Sequence, residues 1–279
     1  MQRIIQFGKQ LFDRIMFADV FGLAAQVSYF LLLSLFPFLL FLATLIGYFP
    51  IDEDAFMSFI ESFAPDEIVN MIQMNISQLL DGTNGGLLSI GVLGTLWSAS
   101  NGINALKKAF NRAYAVEENR PFLVARLISI ILTISMIGVL GVAFLLPIFG
   151  EMIGTYVFSF IGMSDTFIEV WNTLRWVISS VVFFLVLLTL YVLAPNLKIR
   201  IRNAIYGAIF ATICWQAITI GFSFYVNNLT DYSATYGGLG AVIMLMFWFY
   251  ISSIVIIIGG VINAVIRKRR IDENELSVD

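Results

Sequence analysis

The sequence predicts an all-α membrane protein with six transmembrane helices, an N-terminal interfacial helix and short amphipathic helices on the outer face. Of its 279 residues, 59% are apolar and 13% are charged, and the mean hydropathy is +0.89. Because soluble domains carry about 25% charged residues, most of the surface of this chain is expected to face lipid. Two further observations support the prediction: six long apolar stretches, and basic residues that concentrate in alternate loops.

The first element, residues 1–19, predicts an amphipathic helix at the membrane interface. Apolar side chains such as Phe12 and Met16 fall on one helical arc, and charged ones such as Lys9 and Arg14 fall outside it. Six stretches follow that are close to the ~20 residues needed to cross the hydrocarbon core. These predicted spans are 22–49, 86–106, 127–149, 176–194, 204–226 and 239–266. Residues 1–270 are therefore expected to form a single membrane domain, followed by a cytoplasmic tail at 271–279.

Lysine and arginine predict the orientation of the spans, because they concentrate in cytoplasmic loops. All 16 except Arg175 lie before the first span, between the second and third, between the fourth and fifth, or after the sixth. Both termini are therefore expected in the cytoplasm. The outer segment 50–86 is acidic, and its apolar residues are helically spaced. It predicts two short helices that form either a lid on the bundle or a vestibule that concentrates cations.

The composition excludes several kinds of catalytic site. The chain contains no histidine and one cysteine, Cys214. Serine–histidine and cysteine–histidine nucleophile pairs are therefore impossible, and zinc sites lose their commonest ligands. The sequence also contains no GxxxxGK(S/T) phosphate-binding loop and no carboxylate inside a predicted span. We expect a protein that is not an enzyme and that uses no cofactor or metal.

Neutral polar residues inside the spans are the candidate functional residues. Trp97, Asn101, Asn104, Lys108 and Asn111 fall on one arc of a helix that leaves the membrane. Such a stripe either joins neighbouring helices by hydrogen bonds or lines a cavity open to the cytoplasm. The full set of candidate cavity or substrate-path residues is Gln26, Tyr29, Ser34, Pro37, Asn101, Asn104, Lys108, Asn111, Gln216, Tyr225, Tyr236 and Asn263. Pro37 is also expected to kink the first span.

Several motifs resemble one family when they are taken together and in order. They include AAQVSYFLLLSLFPFLLFL at 24–42, NRAYAVEENRP at 111–121, the Pro-Asn pair at 195–196 and the Tyr-Gly pair at 236–237. Over nearly its whole length the chain resembles the YihY/BrkB family of bacterial membrane proteins. That resemblance implies a six-span protein of the bacterial inner membrane. Members have been labelled ribonuclease BN or virulence factors, and transport has been suggested for them.

The residues help to choose among these labels. A metal-dependent nuclease needs clustered carboxylates or histidines, whereas the central cytoplasmic loops offer only Glu117 and Glu118. Topology and attraction to anionic lipids account for the basic loops, so no nucleic-acid partner is expected. Two interpretations remain: a transporter or flippase-like permease for a small or amphipathic substrate, or a non-catalytic scaffold of the cell envelope. The expected partners are membrane lipids and a lipid or small-molecule substrate, and small residues such as Gly150 and Gly154 permit a homo-oligomer.

Overall fold

The computed structural model describes residues 2–46, 85–135, 165–228 and 238–275. Helices joined by short turns make up these ranges, and no strand lies within them, so the all-α prediction is confirmed there. The helices are α1 (Gln2–Phe17), α2 (Val20–Ile46), α3 (Gly85–Tyr114), α4 (Phe122–Ser135), α5 (Asp165–Leu193), α6 (Ile201–Asn228) and α7 (Gly238–Glu275). The outer helices predicted from segment 50–86 lie outside the described residues.

The apolar helices support a membrane protein, and the described residues do not confirm the predicted count of six spans, since part of the predicted span 127–149 lies outside them. Within the described ranges, three helical stretches are long and apolar enough to cross a membrane: Val20–Phe41, Ile201–Phe222 and Val242–Asp272. Phe122–Ser135 and Val177–Leu193 are shorter apolar helices. Residues 86–106, predicted as the second span, are helical within α3, yet their glycines, serines and asparagines make this stretch less apolar than the other three.

The N-terminal amphipathic helix is confirmed as α1, but its apolar residues form two rows rather than one face. One row packs against the core of the bundle and the other is exposed, as expected for a helix that rests on lipid. The packed row is Phe7, Leu11 and Ile15, and the exposed row is Ile5, Phe12 and Met16. After α1 the chain turns through Asp19, whose φ of 55° is left-handed, and α2 begins at Val20.

Glycines bring α2 and α3 into close contact. A Cβ atom at Gly91 would lie 2.9 Å from the backbone of Phe41, and one at Gly94 would lie 3.0 Å from Cβ of Pro37. Small residues allow two helix backbones to approach this closely within a membrane. The proline ring predicted to kink the first span therefore also packs against α3.

A buried joint stabilises the packing of α3, α5, α6 and α7. The ring of Tyr191 stands edge-on to that of Phe110, with centroids 5.3 Å apart. The Tyr191 hydroxyl donates a 2.7 Å hydrogen bond to the backbone carbonyl of Ile256. A Cβ atom at Gly207 would overlap the carbonyl oxygen of Gly259. We define the buried joint as Phe110, Tyr191, Gly207, Gly259 and Asn263.

Candidate functional site

The predicted asparagine stripe of α3 lies beside α4. Arg126 Nη1 donates a 2.8 Å hydrogen bond to Asn101 Oδ1. Ser129 Oγ lies 3.0 Å from Asn104 Oδ1 and 3.0 Å from the Ala125 carbonyl, and its single proton serves one of them. Asn101 and Asn104 are half-buried by these contacts. The contacts form because α4 begins directly after Pro121 and returns along α3.

The buried lysine of this region is Lys107, which the sequence reasoning did not single out. The residue is only 2% exposed. Lys107 Nζ donates to the Ala125 carbonyl at 2.9 Å and lies 3.4 Å from Ser129 Oγ. Lys108, the predicted candidate, is exposed, as is Trp97 on the same arc. Positions 107 and 108 follow Asn104 by three and four residues, so both lie near its face of the helix. Helical periodicity alone does not show which of the two lysines is buried.

Glu118, in the turn between α3 and α4, faces this lysine. Its Oε2 accepts a 3.1 Å hydrogen bond from Asn111 Nδ2 and lies 3.9 Å from Lys107 Nζ. Its Oε1 lies 3.7 Å from Nε of Arg120, whose backbone N–H also approaches it at 3.4 Å. The Glu118 side chain is 32% exposed, so the carboxylate sits at the edge of the buried region.

The Pro-Asn pair that follows α5 completes the arrangement. The backbone N–H of Asn196 donates a 2.7 Å hydrogen bond to Asn111 Oδ1, and Asn196 Nδ2 donates to the Glu117 carbonyl at 2.8 Å. Arg120 Nη2 donates to the Pro195 carbonyl at 2.6 Å. The motifs at 111–121 and 195–196 therefore meet in space. We call this group the inner polar cluster: Asn101, Asn104, Lys107, Asn111, Glu118, Arg120, Arg126, Ser129 and the pair Pro195–Asn196.

The chain that carries this cluster is similar to a known family over most of its length. A family model described as virulence factor BrkB matches residues 11–277. The chain belongs to the BrkB family. The resemblance predicted from the motifs is thereby confirmed.

Named relatives of this BrkB-family chain cover most of its length. Ribonuclease-like protein YfkH of Bacillus subtilis (strain 168) is 47% identical over 266 residues, which is 95% of this chain and 97% of that protein. A UPF0761 membrane protein of Aliivibrio salmonicida (strain LFI1238) is 29% identical over 249 residues, 86% of this chain and 76% of that one. A UPF0761 membrane protein of Xanthomonas axonopodis pv. citri (strain 306) is 24% identical over 271 residues, with coverages of 92% and 60%. No solved structure matches the chain.

Positive charge exceeds negative charge in the inner polar cluster of this BrkB-family protein. Glu118 lies within 4 Å of two cations, Lys107 and Arg120. Arg126 has no carboxylate at that distance within the part of the chain that the structure describes. Burial lowers the pKa of Lys107; the carboxylate of Glu118 raises it in part, and Arg120 lowers it further. The cluster therefore holds buried positive charge that its one carboxylate offsets only in part.

The candidates on α2 do not form a common site with the asparagine stripe. Gln26 is half-buried. Tyr29 is exposed, with its ring edge-on to Phe30. Ser34 donates to the Leu31 carbonyl of its own helix at 2.7 Å. Pro37, as described above, packs against α3.

The remaining candidates lie at other contacts. Gln216 of α6 donates to Ser180 Oγ of α5 at 2.6 Å. Tyr225 is half-buried near the end of α6, and Tyr236 lies outside the described residues. Asn263 is fully buried and belongs to the joint; its side chain bonds to the backbone of Gly207 and Ala204 at 2.7 and 3.1 Å. The structure thus brings together Asn101, Asn104 and Asn111, whereas Gln216 and Asn263 each have separate partners.

Proposed function

We propose that this BrkB-family protein is a transporter or flippase-like permease of the bacterial inner membrane, with six spans, that moves a small or amphipathic substrate. The observation that carries the proposal is the inner polar cluster. Burying a lysine ammonium away from water is costly unless an opposite charge and hydrogen bonds compensate it, and a buried group of this kind is a candidate for a functional role. Lys107 is almost fully buried there, and Glu118 at 3.9 Å is its nearest ion-pair partner among the described residues. Within the cluster, half-buried Asn101 and Asn104 lie on the predicted span 86–106 and carry its polar surface toward the membrane interior.

Three contacts support a cytoplasmic location for the cluster and for both termini. Arg14 Nε of α1 donates to the Ala113 carbonyl at 2.6 Å, and Arg112 pairs with Asp19 at 3.2 Å. Arg269 Nε, near the other end of the chain, donates to Gln10 Oε1 at 2.6 Å. The basic residues before α2, at the end of α3 and within the end of α7 therefore gather at one end of the helices. Such a concentration of lysine and arginine is typical of the cytoplasmic face.

Transport is tested with the purified full-length protein in liposomes. We would measure movement of a fluorescent phosphatidylglycerol between leaflets and, separately, release of an entrapped small anion. We expect one of the two rates to rise above that of protein-free vesicles and to fall with Lys107→Gln. Rates equal to those of empty vesicles for both probes would contradict the transporter proposal.

A scaffold of the cell envelope remains the second candidate, because one observation favours it. The four asparagines of the candidate set all bond to other segments of the chain: Asn101 to Arg126, Asn104 to Ser129, Asn111 to Glu118 and Asn196, and Asn263 to Gly207 and Ala204. Polar residues that only join helices would show this pattern. Under that interpretation their replacement would alter stability and leave no transport activity to lose.

We also infer that the protein is not a nuclease and binds no nucleic acid, although one relative carries a ribonuclease-like name. Nucleases that use metal ions need several carboxylates or histidines around the metal. In the described ranges, no group of three or more such ligands comes together. Glu118 is already engaged by Asn111, Lys107 and Arg120. Lipid headgroups are a sufficient partner for the basic loops.

A further inference from the structure

We infer that the inner polar cluster binds a phosphate group through Lys107, Arg120 and Arg126, with the phosphate supplied by an anionic lipid headgroup or by free phosphate. The idea that phosphate is part of the transported substrate rests on the transporter proposal. Phosphate binding to the cluster does not depend on transport and can be measured by itself.

The first argument is a surplus of hydrogen-bond donors. A lysine ammonium has three N–H groups, and those of Lys107 have two acceptors within hydrogen-bond distance, the Ala125 carbonyl and Ser129 Oγ. Arg120 Nη2 bonds to the Pro195 carbonyl, but its Nη1 is buried and has no partner among the described residues. Buried donors without an acceptor are rare and often mark the place of an ion or water. An acceptor-rich group bound here would satisfy both Arg120 Nη1 and the remaining N–H of Lys107.

The second argument is the sign of the charge. Lys107, Arg120 and Arg126 provide three cations, and Glu118 is the single carboxylate within 4 Å of any of them in the described ranges. Glu117 contributes its backbone carbonyl to Asn196 and keeps its side chain exposed. A bound anion would offset the surplus. Phosphate suits these groups because it offers several acceptor oxygens on one small centre and pairs well with both guanidinium and ammonium groups.

The third argument concerns the surface next to the cluster. Phe122 and Leu123 precede Arg126 by one helical turn on α4, and they are 80% and 73% exposed. Leu127, the next residue after Arg126, is exposed as well. Acyl chains can lie along this apolar surface while the headgroup reaches the basic side chains. Basic sites between helices at the cytoplasmic side of a membrane bind lipid headgroups in this way.

Binding is tested on full-length protein in nanodiscs and in lipid-free detergent. The lipid arm compares retention of phosphatidylglycerol with that of phosphatidylcholine by native mass spectrometry. The free-anion arm measures binding of inorganic phosphate in detergent by the shift of thermal unfolding. The variants are Lys107→Gln and Arg126→Gln, since glutamine retains an N–H for the carbonyl partners. The matched control is Lys198→Gln, which removes one exposed charge from the next cytoplasmic loop.

We expect Lys107→Gln and Arg126→Gln each to weaken phosphatidylglycerol or phosphate binding by about tenfold, the effect of losing one charge-assisted hydrogen bond. Lys198→Gln should change binding by less than about twofold. Loss confined to the lipid arm identifies a headgroup, and loss confined to the phosphate arm identifies the free anion.

No binding in either arm, or equal losses for Lys198→Gln and the two cluster variants, would overturn the inference. If Lys107→Gln does not fold, the effect of Arg126→Gln on binding decides the inference. Arg126 is only half-buried and lies in the first turns of α4, so its replacement is expected to disturb folding less. If binding depends on the cluster but no transport is measured, the transporter proposal is wrong and the phosphate-binding inference still holds. If transport occurs and neither cluster variant changes its rate, the cluster is not the substrate-binding site.

Discussion

Asn263 of α7 accepts a 2.7 Å hydrogen bond on its side-chain oxygen from the backbone N–H of Gly207 in α6. The same side chain donates to the Ala204 carbonyl at 3.1 Å, and the residue is fully buried. This geometry depends on glycine, because a Cβ atom at position 207 would overlap both the carbonyl oxygen of Gly259 and the side chain of Asn263. The contact holds α6 and α7, two of the long apolar helices, against each other.

Gly207→Ala is therefore expected to destabilise the protein. The added methyl group has no space between α6 and α7, and overpacking of this kind costs about 1–3 kcal/mol. Gly221→Ala on the same helix is the matched control, because nothing lies within 4 Å of its Cβ position. That change should be neutral or stabilise α6 by up to about 1 kcal/mol, since alanine favours helices more than glycine does. Thermal unfolding in detergent compares the two; equal midpoints would contradict the close packing of α6 and α7.

The orientation of the chain can be checked by labelling single cysteines in a Cys214→Ser background. Cysteines at Asp54 and Asp165 are expected to react with a membrane-impermeant reagent added outside intact cells, and cysteines at Lys198 and Lys268 only after permeabilisation. The reason is the concentration of lysine and arginine on one side of the predicted spans. Labelling of position 198 from outside would overturn the orientation and, with it, the cytoplasmic location of the inner polar cluster.

Lys107 predicts a pH dependence of stability. Burial lowers its pKa below the ordinary 10.5, so between the lowered value and 10.5 the unfolded chain binds more protons than the folded one. In that window the stability contributed by Lys107 rises with pH. The difference in unfolding free energy between the wild type and Lys107→Gln should therefore grow in favour of the wild type as pH approaches 10.5. Burial raises the pKa of Tyr114, but this tyrosine is present in both proteins, so its contribution to the difference cancels. A difference that stays constant with pH would contradict the burial of a charged Lys107.

Purified protein is expected to leave tRNA intact, with or without Mg²⁺. The physical reason is that Glu118 is committed to Asn111, Lys107 and Arg120, and that the described ranges contain no group of three or more ligands that could hold a metal ion. Gel analysis of labelled tRNA provides the measurement, and a double variant with Glu117→Gln and Glu118→Gln controls for contaminating nucleases. Cleavage by the wild type that the double variant lacks would show that the protein is an enzyme after all.

Sequence reasoning predicted the helices and the family better than it predicted contacts. Local apolar runs determine where helices form, so α1, α2, α6 and α7 match their predicted stretches closely. Residues 86–106 were also predicted as a span and are helical, but they are less apolar than the other long helices. Close packing of Gly91 and Gly94 against α2 lets this less apolar helix join the bundle. Hydropathy does not report such packing.

The candidate site was predicted in part. Asn101, Asn104 and Asn111 do share a region, since their helical spacing places them on one arc. Lys107 was missed in favour of Lys108 because the position of α4 decides which of two adjacent lysines is buried. The role of Asn263 in the joint depends on Gly207, which lies 56 residues away in the chain, and no local pattern contains that information.

The asparagine stripe separates the two proposed functions most directly. Asn101 and Asn104 are half-buried, whereas Ile103 and Leu106 on the opposite side of α3 are buried in the core. In a Cys214→Ser background, cysteines at 101 and 104 are expected to react with a small impermeant reagent applied from the cytoplasm, and cysteines at 103 and 106 are not. This contrast follows if the stripe lines a wet cavity.

Replacement by leucine gives the matching measurement of stability. Asn111 is buried and bonds to both Glu118 and Asn196, so Asn111→Leu should lower the free energy of unfolding by at least about 1 kcal/mol, roughly two hydrogen bonds at the 0.6 kcal/mol average within membranes. Asn101→Leu removes one half-buried contact and should cost less. A transporter predicts that Asn101→Leu reduces transport more than stability. Protection of all four cysteine positions, together with lowered stability of every leucine variant, would instead assign the stripe to helix packing and favour the scaffold.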